Sequence, residues 1–193
     1  LKNIITASII AMTLMSCSGN LQQADYRVIR LPKTITESTE TPFVLSKKIS
    51  ITYPSSQSEL IKEANFLSEY LEEILGYSLK VEEANESKNN AINLVVDPSA
   101  FTKDDSYKII VNKDNIHIIG SNASSVFYGI QTLRKSLPFD AKGENISMPA
   151  GEIYDYPRFA HRGMMLDVSR HIFDLDSIKE FIDVMALHNI NKF

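Results

Sequence analysis

Gly163-Met-Met-Leu-Asp-Val168 runs into Ser169-Arg170-His171, and from Asp174 onward Leu175, Ile178, Phe181, Ile182 and Met185 recur at helical spacing. The first segment is apolar without alternation until Asp167, which is how a strand buried on both faces reads. The three residues after it form a strongly polar turn. Asp174 can cap the helix, His188-Asn189 ends it, and Ile190 opens another extended stretch. This is one βα unit and the beginning of the next. In a (β/α)8 barrel the polar residues after each strand line the site at the C-terminal face. That logic singles out Asp167, Ser169, Arg170 and His171, which either brace the loops against each other or touch a substrate.

Upstream the pattern changes. Leu60, Ala64, Leu67, Leu71, Ile74 and Leu75 keep one buried stripe, so a helix is expected over 58–75, with Ser55, Ser56 or Ser58 as cap and Gly76 just past its end. Val126, Phe127, Ile130, Leu133 and Leu137 make a second helical face, ended by Pro138. Strands are expected at 26–31, 43–45, 48–53, 77–81 and 91–96, and a hairpin at 107–119 about Asn112-Lys-Asp-Asn115. Residues 82–90 read as a polar loop and 146–154 as extended chain. The whole is an α+β domain over 26–153, a mixed sheet with two helices, followed over 154–193 by the truncated start of a (β/α)8 barrel. His117 reads as a surface or packing histidine, and Asp104-Asp105 as a solvated turn.

The N-terminus reads as a targeting segment. Lys2 precedes an apolar run from Ile4 to Met15, shorter than the roughly 20 residues that span a bilayer. The only cysteine, Cys17, closes that run after Ser16 and resembles the lipidated residue of a bacterial lipobox. The expectation is a signal peptide over 1–17, a lipid on Cys17, a polar tether over 18–25, and a protein anchored to a membrane of the bacterial cell envelope. With one cysteine, no intrachain disulfide can form, so the fold rests on its core. The content of 44% hydrophobic and 23% charged residues is that of a globular chain. A net charge of -4 without a dense basic run argues against a nucleic-acid partner.

Asp155-Tyr-Pro-Arg-Phe-Ala-His-Arg-Gly-Met-Met-Leu-Asp-Val-Ser-Arg-His-Ile-Phe173, with Phe181-Ile-Asp-Val-Met-Ala-Leu-His-Asn-Ile-Asn-Lys-Phe193, resembles the barrel entrance of the family 20 glycoside hydrolases, the β-N-acetylhexosaminidases. The hairpin and Ser-Ser-Val-Phe-Tyr-Gly-Ile-Gln-Thr-Leu helix before it are similar to the non-catalytic domain that precedes that barrel. The resemblance implies removal of terminal β-linked N-acetylglucosamine or N-acetylgalactosamine from glycans, with no cofactor and no metal. It also implies substrate assistance: the acetamido oxygen attacks the anomeric carbon, an Asp orients it, and an adjacent Glu protonates the leaving oxygen. Of the family's site residues only Arg162 is carried over, as the arginine that binds sugar hydroxyls; an ion-paired structural arginine is the alternative. Asp167, Arg170 and His171 are candidates for a supporting role. The catalytic carboxylates are expected beyond Phe193, so these 193 residues are not expected to turn over substrate. A non-catalytic, carbohydrate-associated or scaffold lipoprotein without its barrel is the competing reading. A Ser169-His171-Asp167 triad is excluded because neighbours on one extended turn point apart. A zinc site from His161, His171 and His188 is excluded by spacing.

Overall fold

The computed structural model describes residues 21–139 and 141–193. The expected signal segment, Cys17 and the first residues of the tether lie outside them. Among the described residues ten strands form two sheets. They are β1 (Gln22–Gln23), β2 (Thr34–Glu37), β3 (Phe43–Leu45), β4 (Ser50–Tyr53), β5 (Lys80–Glu83), β6 (Ala91–Val96), β7 (Tyr107–Val111), β8 (Asn115–Gly120), β9 (Ile146–Met148) and β10 (Gly151–Asp155). The helices are α1 (Ile61–Leu75), α2 (Ala123–Ser136) and α3 (Leu175–Leu187). The larger sheet has the order β2-β10-β7-β8-β6-β4-β5. Its β2-β10-β7-β8 half is antiparallel and its β8-β6-β4-β5 half parallel. The smaller sheet is β1-β9-β3.

The core lies where α1 and α2 meet the larger sheet. Tyr107, Ile109 and Val111 of β7 are buried, while Lys108 and Ile110 between them are only partly covered, so alternate residues face the helices. They meet Leu67 and Leu71 of α1 and Val126, Ile130 and Leu133 of α2 in one cluster. Removing each such side chain from water contributes about 1.5–3 kcal/mol. Gly76 takes φ 75° at the end of α1, the left-handed cap its position predicts. Gly129 lets α2 approach the sheet: a Cβ there would stand 2.7 Å from Ile118 Cγ2. Asn122 and Ser125 cap α2 reciprocally, each side chain taking the other's backbone N–H.

Several expectations are refined or corrected. Residues 26–31 are not a strand. Tyr26 and Val28 are buried but Ile29 is 81% exposed, and no ladder forms there. The nearby polar groups bond elsewhere, Asp25 N–H to Ser136 O at 2.9 Å. The tether is not free from Leu21 onward, because Gln22–Gln23 pairs with Ile146–Ser147 and Ala24 is buried. No serine caps the first helix. Ser55–Leu60 is a 3₁₀ segment preceding α1, and Gln57 instead clamps the Val96 backbone with two bonds of 2.7 Å. The strand expected at 77–81 lies at β5. Residues 146–154 divide between the two sheets.

The polar 82–90 stretch folds onto the sheet. Asn93 accepts from Lys88 N–H at 2.9 Å and from Thr52 Oγ1 at 2.8 Å, and donates to Lys88 O at 3.1 Å. This covers β6, which is buried from Ala91 to Leu94. At the far end of β10, Asp155 is buried and accepts from Arg30 at 2.8 Å and from the Tyr107 hydroxyl at 3.3 Å. Burial pushes that hydroxyl's pKa up, so it stays protonated and able to donate.

Candidate functional site

Beyond Tyr156 the chain forms one loosely covered βα unit. Residues 163–167 form no strand and Val168 already belongs to the turn that follows; the stretch makes only an isolated parallel bridge, Gly163 to Lys192. The continuous strand expected there is therefore corrected to a single pairing. Met164 N–H donates to Lys192 O at 3.1 Å, and Arg162 O accepts from Asn191 and Lys192 at 2.9 and 3.1 Å. The pairing joins the start of one extended segment to the start of the next across α3, in the parallel sense a βαβ crossover requires. Asp174 caps α3 by accepting from Ser177 N–H at 2.7 Å, and that backbone bond holds its carboxyl below the usual range. Met185 alone of the predicted stripe is buried; Leu175 is 66% and Ile182 44% exposed.

Arg162 sits at this pairing. Its Nε donates to Asn189 O at 2.7 Å, Nη1 to Phe159 O at 2.8 Å and Nη2 to the Tyr128 hydroxyl at 2.9 Å. The guanidinium carbon lies 5.1 Å from the Tyr128 ring centre, within reach of the ring's electron-rich face. Tyr128 belongs to α2, so this side chain bridges the α+β domain and the βα unit. Burial raises the Tyr128 pKa against the opposing influence of Arg162, which keeps the phenol neutral. Three of the five N–H donors of Arg162 are engaged, and one N–H on each terminal nitrogen is left. No carboxylate pairs with it among the described residues.

The other candidates do not converge on it. Asp167 Oδ1 accepts from Ser169 N–H at 2.9 Å and Arg170 N–H at 3.2 Å, and Arg170 Nε lies 3.4 Å from Asp167 Oδ2. That is a self-braced turn. Ser169, Arg170 and His171 are all exposed. Among the described residues no three His, Cys, Asp or Glu side chains gather to hold a metal ion. A cleft of about 510 Å³ lies between residues 23–27, 37–42 and 149–150, and none of the candidate residues lines it. His117 is partly buried on the sheet face away from the helices, with Nε2 3.2 Å from Ser87 Oγ. The sequence reading missed Tyr128, Phe159, Asn189 and Asn191. Asn189 carried one signal, an asparagine just past a helix, where it adopts φ 58°.

The family model described as "Glycosyl hydrolase family 20, domain 2" matches residues 25–156, and that for the family's catalytic domain matches residues 159–193. A beta-hexosaminidase of Porphyromonas gingivalis is 35% identical, the match covering 94% of this chain and 25% of that protein. A beta-N-acetylhexosaminidase of Cellulomonas fimi is 26% identical, covering 86% of this chain and 33% of that one. Among solved structures, the Streptomyces plicatus N-acetyl-beta-hexosaminidase in complex with Thio-NAglucal superposes with a TM-score of 0.75 at 29% identity, over 86% of this chain and 33% of that one. The chain thus spans a quarter to a third of the length of these relatives. The α+β domain, the βα unit that follows it and the two adjoining matches agree: the chain belongs to glycosyl hydrolase family 20, comprising its domain 2 and a short stretch of its catalytic domain.

Proposed function

We propose that this chain supplies the α+β domain and the first βα unit of an exo-β-N-acetylhexosaminidase. The enzyme removes terminal β-linked N-acetylglucosamine or N-acetylgalactosamine from glycans by substrate-assisted, retaining hydrolysis. The observation that carries the reading is the catalytic-domain match over 159–193, which contains Arg162. In this reading Arg162 donates to hydroxyls of the terminal sugar. Its two spare N–H groups, one on each terminal nitrogen, suit a fork onto two neighbouring oxygens. The acid and the acetamido-orienting carboxylate come from elsewhere in a complete barrel, since no Asp-Glu dipeptide occurs in these 193 residues. Asp167 and Arg170 brace the turn at 168–170, and His171 extends from it. The 193 residues alone therefore leave a chromogenic N-acetylglucosaminide intact, while the product of the whole reading frame hydrolyses it. Absence of turnover by that product would overturn the reading.

The anchor is part of the same proposal. A lipid on Cys17 holds the enzyme at a membrane of the cell envelope, with the apolar run before it removed. Among the described residues no helix is long and apolar enough to cross a membrane. Cys17→Ala, expressed in a bacterium, should move the protein from the membrane to the soluble fraction; equal membrane retention would refute the anchor.

A further inference from the structure

We infer that Tyr128, in the domain outside the barrel, is a positioning residue for the sugar-binding arginine. The inference rests on the proposal that Arg162 contacts the terminal sugar, and it assigns part of that subsite to the α+β domain. A free arginine side chain samples many rotamers, and a bidentate grip on two hydroxyls needs one of them. Three contacts select it here. Asn189 O and Phe159 O take one N–H each from Nε and Nη1 at 2.7 and 2.8 Å, and both are backbone atoms of the βα unit. The third contact is a side chain, and it comes from a different element: the Tyr128 hydroxyl takes Nη2 at 2.9 Å. The same ring lies 5.1 Å from the guanidinium carbon. Tyr128 thus meets the group in two ways, through its hydroxyl and through its ring.

Tyr128 is itself held firmly. It is 8% exposed, and it sits one residue before Gly129, where α2 approaches Ile118 and Tyr107 too closely to admit a Cβ. The neighbouring Phe127 packs edge-on against it at 6.5 Å and against Phe66 of α1 at 5.2 Å. Its position is therefore set by the core of the α+β domain and passed to Arg162. A tyrosine is suited to this task in a way that phenylalanine is not. Its ring can meet a cation's charge while its oxygen fixes the rotation of the guanidinium plane.

A double-mutant cycle on the product of the whole reading frame tests this, using kcat and KM for a chromogenic N-acetylglucosaminide and for its analogue lacking one ring hydroxyl. Tyr128→Phe keeps the ring and removes the oxygen. We expect kcat/KM to fall about tenfold, mainly through KM, as loss of one hydrogen bond to a charged group predicts. Preference for the hydroxylated substrate over the deoxy analogue should fall with it, a change that a packing defect alone would not cause. In an Arg162→Ala background Tyr128→Phe should cost nothing further. An Arg162→Ala enzyme with normal kcat/KM would refute the sugar contact and this inference together. An impaired Arg162→Ala beside a normal Tyr128→Phe, or losses that multiply in the double variant, would overturn the role of Tyr128 alone.

Discussion

Arg162 and Tyr128 are 34 positions apart in sequence and 2.9 Å apart in space. That separation explains why one was legible and the other was not. Arg162 stands in a dense local pattern, Ala-His-Arg-Gly-Met-Met-Leu-Asp, which the eye can match. Tyr128 lies in a helix whose apolar spacing is accounted for by Val126, Ile130 and Leu133, so nothing marks it as a contact for an arginine. His117 shows the reverse. Its place in a hairpin strand marks it as a surface or packing histidine, and it lies partly buried beside Ser87. Burial lowers its pKa, so the folded chain holds the proton less tightly than the unfolded chain does. Its contribution is full above the ordinary histidine value of about 6.5 and is lost as pH falls toward the lower folded value. Denaturant midpoints should therefore drop between mildly alkaline and mildly acidic buffer, and His117→Asn should reduce that drop. An identical drop in the variant would show that His117 does not carry it.

At the scale of elements, local periodicity was the reliable guide. Of the expected stripe, Leu60, Ala64, Leu67, Leu71 and Leu75 are buried and Ile74 is partly buried, because a helix sets its own spacing whatever it packs against. The Asn112–Asn115 turn and its two strands were readable for the same reason: both partners lie within a few residues. Residues 26–31 misled because alternating burial of Tyr26 and Val28 needs only a surface to lie on, not a neighbouring strand. Gln22–Gln23 looked like tether because its partner, β9, is more than a hundred residues away. The segment after Tyr156 is the weakest element. Met165 is 86% and Ile172 95% exposed, and a lone βα unit lacks the flanking strands that would cover them. Limited proteolysis of the 193 residues should cut first between Met164 and Asp174 and leave a resistant core ending near Asp155. First cuts within α1 or α2 would contradict this ranking of stability.

At the scale of the molecule, the chain divides its tasks unevenly. The α+β domain holds nearly all of the buried core, and among the described residues no three His, Cys, Asp or Glu side chains gather in it to hold a metal ion. The short catalytic-domain stretch is exposed and braced by few contacts, yet it carries the one proposed sugar contact. The fold class was legible because alternation, helical stripes and turn residues agree with one another along 26–153. The site was legible only as far as one arginine, since a barrel site is assembled from loops of many strands and one strand carries a fraction of it. Hydrolysis of a chromogenic N-acetylglucosaminide should be compared for two proteins, the 193-residue chain and the product of the whole reading frame. We expect turnover by the second and none by the first. Turnover by the 193 residues alone, or none by the product of the whole frame, would contradict the proposed function.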